Sequence, residues 1–159
     1  MQYIVMEGED MKHKLIQKIH NRTAIVAVIG LGYVGLPLAV EKAKAGYKTV
    51  GFDIQESRVK MVNEGHNYIG DVVDSELRDI VKKGFLSATT DFSIVKNADF
   101  IAICVPTPLD EYQQPDISYV KNSAIEIAKY LKRGSIVVLE STTYPGTTEE
   151  LLLPILEEG

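Results

Sequence analysis

The sequence predicts an α/β protein built on a doubly wound, mostly parallel sheet. Apolar runs of strand length alternate along the chain with segments in which apolar residues recur at helical spacing. The run 98–105 is apolar almost throughout, which is typical of a parallel strand covered by helices on both faces. A glycine-rich turn separates the first apolar run from the first helical segment. Strands joined by helical crossovers form right-handed βαβ units, and successive units build a doubly wound sheet.

Each element is placed by its apolar pattern and by the residues that end it. We predict strands at 24–29, 48–53, 85–88, 98–105 and 135–139. We expect helices from the glycine-rich turn to Gly46, from about Glu56 to Gly65, from Asp74 or Ser75 to Gly84, from Asp116 to 132–134 and from Thr147 toward Pro154. The spacing of Thr147 and Glu150 predicts a capping box at the start of the last helix.

Length and composition favour one globular domain and exclude several classes of partner. The chain has 159 residues, of which 45% are hydrophobic, enough for a substantial core. Its formal charge of -5 opposes attraction to nucleic-acid phosphates and to anionic membranes. No apolar run approaches the roughly 18 residues needed to span a bilayer. The single cysteine, Cys104, excludes an intrachain disulfide framework, and we therefore expect a reducing, cytoplasmic location.

We divide the chain into an N-terminal extension, residues 1–22, and a main domain, residues 23–159. The extension mixes acidic and basic residues with apolar ones, so it lacks the hydrophobic stretch of a secretory signal. Leu15, Ile16 and Ile19 can share one side of a short amphipathic helix. The extension is therefore expected to be helical.

The segment Gly30–Gly35, Gly-Leu-Gly-Tyr-Val-Gly, has the spacing of a dinucleotide-binding turn. Gly30 permits the tight turn, Gly32 lets the backbone approach a pyrophosphate, and Gly35 lets the helix pack close to the strand. The helix that follows offers unpaired N–H groups and the positive end of its dipole to phosphates. Because the motif lies between a predicted strand and a predicted helix, it indicates a Rossmann dinucleotide-binding fold.

Asp53, at the end of the second predicted strand, is placed to accept hydrogen bonds from the ribose hydroxyls of adenosine. A carboxylate there also repels a 2′-phosphate, which favours NAD over NADP. Arg58 lies near the start of the next helix, where it either stacks on the adenine or forms an ion pair with Glu56 or another acid.

Two further segments lie beyond predicted central strands, on the edge where ligands bind in open α/β sheets. Val105, Pro106 and Thr107 follow one strand, and a hydroxyl-rich run, 140–148, follows the other. Thr107 either meets the coenzyme or stabilises a proline-rigid turn. In the second run, some hydroxyls are expected to cap the helix and others to reach a ligand.

The remaining candidates for chemistry are given structural roles. Cys104 lies in the most apolar strand with no neighbouring positive charge or base, so we expect a buried, inert thiol. The histidines, His13, His20 and His66, lack the spacing of a metal site or a catalytic triad, and no metal is expected. The loop 68–71 is predicted to be a turn and nothing more.

Four stretches together resemble the N-terminal domain of the UDP-glucose/GDP-mannose dehydrogenase family: residues 30–39, 51–54, 104–108 and 140–148. The amino-acid sequence of the last two stretches, with Leu109 after Pro-Thr-Pro, is most similar to the branch that oxidises UDP-N-acetylhexosamines. The resemblance implies that the backbone at Tyr33 and Val34 holds the pyrophosphate of NAD and that Asp53 and Arg58 hold the adenosine. It also implies coenzyme contacts near the reacting end, at Val105, Pro106, Thr107, Thr142 and Thr148.

The resemblance implies an activity as well. Such enzymes oxidise the C6 alcohol of a nucleotide sugar to a carboxylate with two NAD, through a thiohemiacetal and a thioester on a cysteine. Thr142 corresponds to an active-site threonine with a supporting role. The nucleophilic cysteine, most sugar contacts and the helix that builds the family's homodimer are expected beyond residue 159. We therefore expect a fragment that binds NAD without catalysis.

Two other interpretations stay open at this point. The chain could be a self-contained NAD-binding or sensing module whose partner supplies any substrate site. It could also be the coenzyme domain of a β-hydroxyacid-type dehydrogenase, a group that shares the fold but lacks the Glu-Ser-Thr and Pro-Gly-Thr-Thr run.

Overall fold

Six strands and six α-helices make up the described part of the chain, which covers residues 3–5, 9–109 and 111–158, with side chains from residue 10 onward, in a computed structural model. The strands are β1 Tyr3–Val5, β2 Ile25–Ile29, β3 Lys48–Phe52, β4 Leu86–Thr89, β5 Phe100–Ile103 and β6 Ile136–Leu139. The helices are α1 Glu9–His20, α2 Gly35–Lys44, α3 Glu56–Asn63, α4 Asp74–Lys82, α5 Ser118–Ala128 and α6 Leu153–Glu158. A 3-10 helix spans Phe92–Asn97, and a π-helical turn, Thr148–Leu152, leads into α6.

The strands form one sheet in the order β1-β6-β5-β2-β3-β4. All neighbours from β6 to β4 are parallel, which confirms the predicted doubly wound, mostly parallel sheet. Side chains alternate between the two faces of each strand. On β2, Val26 and Val28 pack with α2 and α4, whereas Ala27 and Ile29 pack with α5 and α6.

Part of the predicted N-terminal extension joins this sheet. β1 pairs antiparallel with β6, with Val5 opposite Ile136. This strand was not predicted from the sequence. The expected helix is present as α1, but Leu15 alone of its three expected contact residues is buried, because Ile16 and Ile19 are each 41% exposed.

The predicted caps are wrong in two helices and displaced by one residue in a third, because capping depends on the backbone conformation of the loop before the helix. In α4 the cap position is Val73, without a side-chain bond, and Asp74 is already helical. In α5 it is Ile117, and Asp116, one residue earlier, accepts a bond from the Ser118 N–H at 2.9 Å.

The predicted capping box before the last helix is also absent. Thr147 has a helical φ of −52°, and its hydroxyl donates to the carbonyl of Tyr144 at 2.7 Å. The helical segment continues past Pro154 to Glu158. Pro154 is the second residue of α6, directly after the π-helical turn, and it supplies no backbone N–H to the helix.

A buried carboxylate, Asp99, holds the amino-terminal edge of the sheet together. Its Oδ1 accepts hydrogen bonds from the ammonium groups of Lys18 and Lys132, each at 2.8 Å. Its Oδ2 accepts a bond from the Ile25 N–H at 2.9 Å. Asp99 is 4% exposed, so these contacts tie α1, β2 and the segment before β6 to one buried point.

The pKa of Asp99 reflects this environment. Burial alone would raise it, but the hydrogen bonds from Lys132, Lys18 and the Ile25 N–H outweigh burial and hold the pKa below the ordinary value of 3.8. The ionised carboxylate therefore stabilises the folded chain above about pH 4. This contribution is lost as the pH falls through the lowered pKa.

We expect Asp99→Asn to lower the free energy of unfolding at pH 7 by about 2 kcal/mol. The neutral amide keeps only one of the two oxygens that accept hydrogen bonds, and it removes the negative charge. Urea unfolding at pH 7 and across pH 2 to 5 measures this. Asp10→Asn breaks an exposed pair with Lys14 and should leave stability unchanged. Equal stability of Asp99→Asn and the wild type would contradict the assigned role, as would an unchanged acid dependence.

Candidate functional site

The carboxyl ends of the parallel strands bring all the predicted site segments to one edge. From β2 the chain winds outward to β3 and β4, then returns to β5 on the other side of β2. This reversal opens a crevice between the ends of β2 and β5, the place where ligands bind in such sheets. The glycine turn follows β2, Asp53 follows β3, residues 105–107 follow β5, and Thr142 follows β6.

Backbone packing requires glycine at two positions of the turn. Gly30 has φ +88°, and a Cβ there would lie 2.9 Å from the carbonyl oxygen of Cys104. A Cβ at Gly35 would lie 1.7 Å from the carbonyl oxygen of Gly30. The turn and the first residue of α2 are thus in direct backbone contact, as the sequence predicted.

Gly32 differs from these two glycines, because a Cβ there would meet nothing within 4 Å. Among the described residues, none accepts a backbone hydrogen bond from the N–H groups of Gly32, Tyr33 or Val34. Tyr33 is 81% exposed and Val34 55% exposed. The turn that leads into α2 therefore presents free N–H groups to the crevice, beside the positive end of the helix dipole, an arrangement suited to a phosphate.

Asp53 is turned mainly toward the protein and is 5% exposed. Its Oδ1 accepts from the Gln55 N–H at 2.9 Å, and its Oδ2 accepts from the Leu31 N–H at 3.0 Å. Arg58 Nη1 lies 3.4 Å from the same Oδ2. A carboxylate offers about four lone-pair positions. Three donors thus leave room for roughly one ribose hydroxyl.

Arg58 takes the ion-pair alternative that the sequence left open, with Asp53 as its partner rather than Glu56. Its guanidinium also lies over the ring of Tyr68, 5.9 Å from the ring centre. Side-chain exposure of 38% leaves part of Arg58 available at the end of β3.

Tyr68 is the residue that the sequence analysis missed at this site. Its hydroxyl donates to the carbonyl of Leu31, inside the glycine turn, at 2.8 Å. Burial, followed by the charge of Asp53, raises the pKa of Tyr68 to about 12, although the charge of Arg58 opposes this rise. A tyrosine in an irregular loop carries no local signal of a partner 37 positions away.

The loops after β5 and β6 are tied together by two hydroxyl groups. Thr107 Oγ1 donates to the carbonyl of Thr142 at 2.7 Å, and Ser141 Oγ donates to the carbonyl of Val105 at 2.7 Å. Thr142 and Pro106 are exposed beside this junction. Thr148, by contrast, is 5% exposed, at the start of the π-helical turn. Coenzyme contacts by these residues stay predictions.

Cys104 lies directly after β5, is 7% exposed, and donates its backbone N–H to Ile29. Burial, followed by the nearby charge of Glu140, raises the pKa of its thiol to about 12. This agrees with the predicted inert thiol. Within the described ranges, no three side chains of His, Cys, Asp or Glu converge as a metal site would require. Likewise, no described helix is long and apolar enough to cross a membrane.

Comparison with known proteins gives a family match over most of the chain. The NAD binding domain of the UDP-glucose/GDP-mannose dehydrogenase family matches residues 24–159. The chain is 43% identical over 133 residues to the UDP-N-acetyl-D-glucosamine 6-dehydrogenase of Pseudomonas aeruginosa. This match covers 84% of this chain and 31% of the relative. It is 39% identical over 127 residues to the UDP-N-acetyl-D-mannosamine dehydrogenase of Pyrococcus horikoshii. That match covers 79% of this chain and 30% of the relative.

A solved structure shows the same relationship. The crystal structure of the NDP-N-acetyl-D-galactosaminuronic acid dehydrogenase from Methanosarcina mazei superposes with a TM-score of 0.79 at 34% identity. The match covers 91% of this chain and 33% of that protein. The chain thus spans about a third of the length of the relatives that it matches.

We expect Cys104 to resist thiol reagents in the folded chain. Its raised pKa leaves on the order of a thousandfold fewer thiolates below pH 9 than an ordinary cysteine with a pKa of 9.0, and burial limits access further. Labelling with an aromatic disulfide at pH 8, in native buffer and in urea, measures this. Ser75→Cys adds an exposed thiol that should react fast, one per chain, while Cys104 stays slow. Fast labelling of Cys104 in native buffer would reopen a role as a nucleophile.

Proposed function

We infer the function from one premise: the chain belongs to the UDP-glucose/GDP-mannose dehydrogenase family, of which residues 24–159 form the NAD-binding domain. This membership decides against the β-hydroxyacid-type dehydrogenases that the sequence left open. We propose that the domain serves a nucleotide-sugar 6-dehydrogenase, which oxidises the C6 alcohol of a UDP-sugar to a carboxylate with two NAD. The observation that carries the proposal is the glycine turn, where free N–H groups and open space at Gly32 lie beside Asp53.

The residues present fit NAD, which supplies a hydride acceptor when bound. The N–H groups of Gly32, Tyr33 and Val34, at the start of α2, would hold the pyrophosphate. The free lone pair of Asp53 would accept a ribose hydroxyl, and its negative charge disfavours a 2′-phosphate. Arg58, partly exposed beside it, would contact the adenine.

The reacting end of the coenzyme would lie toward β5 and β6, across the crevice from Asp53. Val105, Pro106 and Thr107 line that side, with Thr142 exposed on the adjoining loop. The bonds between the two loops hold this wall in place, which supports its role in positioning. We assign Thr142 a supporting role near the reaction centre. To Thr148, which is 5% exposed, we assign a contact with the coenzyme.

For the substrate we propose a UDP-N-acetylhexosamine, because dehydrogenases of N-acetylated sugars are prominent among the similar proteins. The activity belongs to the whole enzyme, which we propose to be a cytoplasmic homodimer of polysaccharide biosynthesis. We propose no metal and no nucleic-acid or membrane partner.

The 159-residue chain should bind NAD at least tenfold tighter than NADP, a difference of about 1.4 kcal/mol, because the carboxylate of Asp53 repels a 2′-phosphate. Asp53→Ala should weaken NAD binding about tenfold and reduce the preference, because it removes both the ribose acceptor and the bond to Leu31 N–H. Titration calorimetry with both coenzymes measures this. Asp79→Ala, on the exposed face of α4, is the control and should change neither affinity. Equal or tighter binding of NADP by the wild type would overturn the assignment of Asp53.

These 159 residues alone should not oxidise a nucleotide sugar, because the single thiol is buried and a four-electron oxidation needs a covalent anchor. NADH absorbance with UDP-N-acetylglucosamine, UDP-N-acetylmannosamine and UDP-glucose measures turnover. A chimera in which residues 24–159 replace the matching domain of the Pseudomonas aeruginosa enzyme should turn over, and Gly32→Val in that chimera should not.

Two results would contradict this account. Turnover by the 159 residues that survives Cys104→Ser would show that the reaction centre is misplaced. An inactive chimera that still binds NAD would favour a binding or sensing module instead.

A further inference from the structure

Both backbone groups of Leu31 are held by side chains from other segments. Its N–H donates to Asp53 Oδ2 at 3.0 Å, and its carbonyl accepts from the hydroxyl of Tyr68 at 2.8 Å. Leu31 itself is fully buried. The residue before Gly32 is thus clamped on both sides.

Fixing the Leu31 carbonyl also fixes the direction of the next N–H. The chain has no cis peptide among its described residues, and in a planar trans peptide the carbonyl and the N–H point in opposite directions. With Tyr68 on the carbonyl, the N–H of Gly32 points to the other side. There it meets no described backbone acceptor, and the space beside Gly32 is open. This amide is therefore aimed before any ligand arrives.

The ring of Tyr68 makes a second contact, with Arg58. The guanidinium carbon lies 5.9 Å from the ring centre, within the distance at which a cation is attracted to an aromatic face. Its Nη1 lies 3.4 Å from Asp53. Arg58 is thus oriented by the ring on one side and by the carboxylate on another.

The loop that carries Tyr68 is anchored independently of this contact. Asn67 Oδ1 accepts from the Ile69 N–H at 2.8 Å, and the Asn67 side-chain amide donates to the carbonyls of Ile69 and Val72. Ile69 and Val72 are buried in the core. Because the pKa of Tyr68 is raised to about 12, its hydroxyl remains a donor throughout the neutral range.

We propose that Tyr68 is a positioning residue of the coenzyme site, which orients the Gly32 amide toward the pyrophosphate and Arg58 toward the adenosine. This role rests on the proposed function. Tyr68 joins the two halves of the site through one side chain, because its hydroxyl contacts Leu31 and its ring contacts Arg58.

Two substitutions separate the two contacts. Tyr68→Phe removes the hydroxyl but keeps the ring under Arg58, and should raise the Kd for NAD about threefold to tenfold. Tyr68→Leu also removes the ring and should raise the Kd a further twofold to fivefold. Titration calorimetry with the 159-residue chain measures both.

A coenzyme-free measurement tests the clamp directly. Amide hydrogen exchange should accelerate about threefold to tenfold at Leu31 in Tyr68→Phe, while exchange at Val28, in β2, should not change. Tyr47→Phe is the matched control, since Tyr47 also donates its hydroxyl to a backbone carbonyl, that of Ile19, at 2.9 Å. It should leave the Kd for NAD and the exchange at Leu31 unchanged.

Unchanged NAD affinity and unchanged Leu31 exchange in Tyr68→Phe would overturn the proposal. Exchange that accelerates equally at Val28 would also overturn it, because the effect would then be a general loss of stability. A wild-type chain that does not bind NAD would instead refute the proposed function, and the exchange at Leu31 would still show whether Tyr68 holds the turn.

Discussion

The close contact between the end of β2 and the start of α2 is the constraint on which the site depends. Because a Cβ at Gly35 would lie 1.7 Å from the Gly30 carbonyl, the helix can begin here only with glycine. The contact brings the first turn of α2 to the crevice between β2 and β5. Gly51 completes the arrangement, because a Cβ there would lie 2.6 Å from the Leu31 side chain, which fills that space.

Two buried carboxylates make the same kinds of contact at opposite edges of the sheet. Asp99 and Asp53 each accept backbone N–H groups and pair with cations. Asp99 ties three elements together at the amino-terminal edge, whereas Asp53 secures the glycine turn next to the crevice. An aspartate near a strand end therefore indicates a ligand contact only in combination with the turn beside it.

The helices and strands were predicted well where apolar periodicity over neighbouring residues defines them. The run 98–105 contains a shorter strand, β5, which spans Phe100–Ile103. The predicted capping box failed because Thr147 is already helical and its hydroxyl bonds to Tyr144. The pairing of β1 with β6 joins residues more than 130 positions apart, and three residues carry too short a pattern to predict it.

The amino-acid pattern alone was enough to place the glycine turn, the acid after the second strand and the buried thiol. Each of these follows from turn geometry or apolar periodicity over a few neighbouring positions. The partners of Tyr68, Thr107 and Asp99 lie 37, 35 and up to 81 positions away, and they became known only with the packed structure. The reason is physical: a polar side chain can bond to many groups, and the packing of distant elements selects the one that comes within reach.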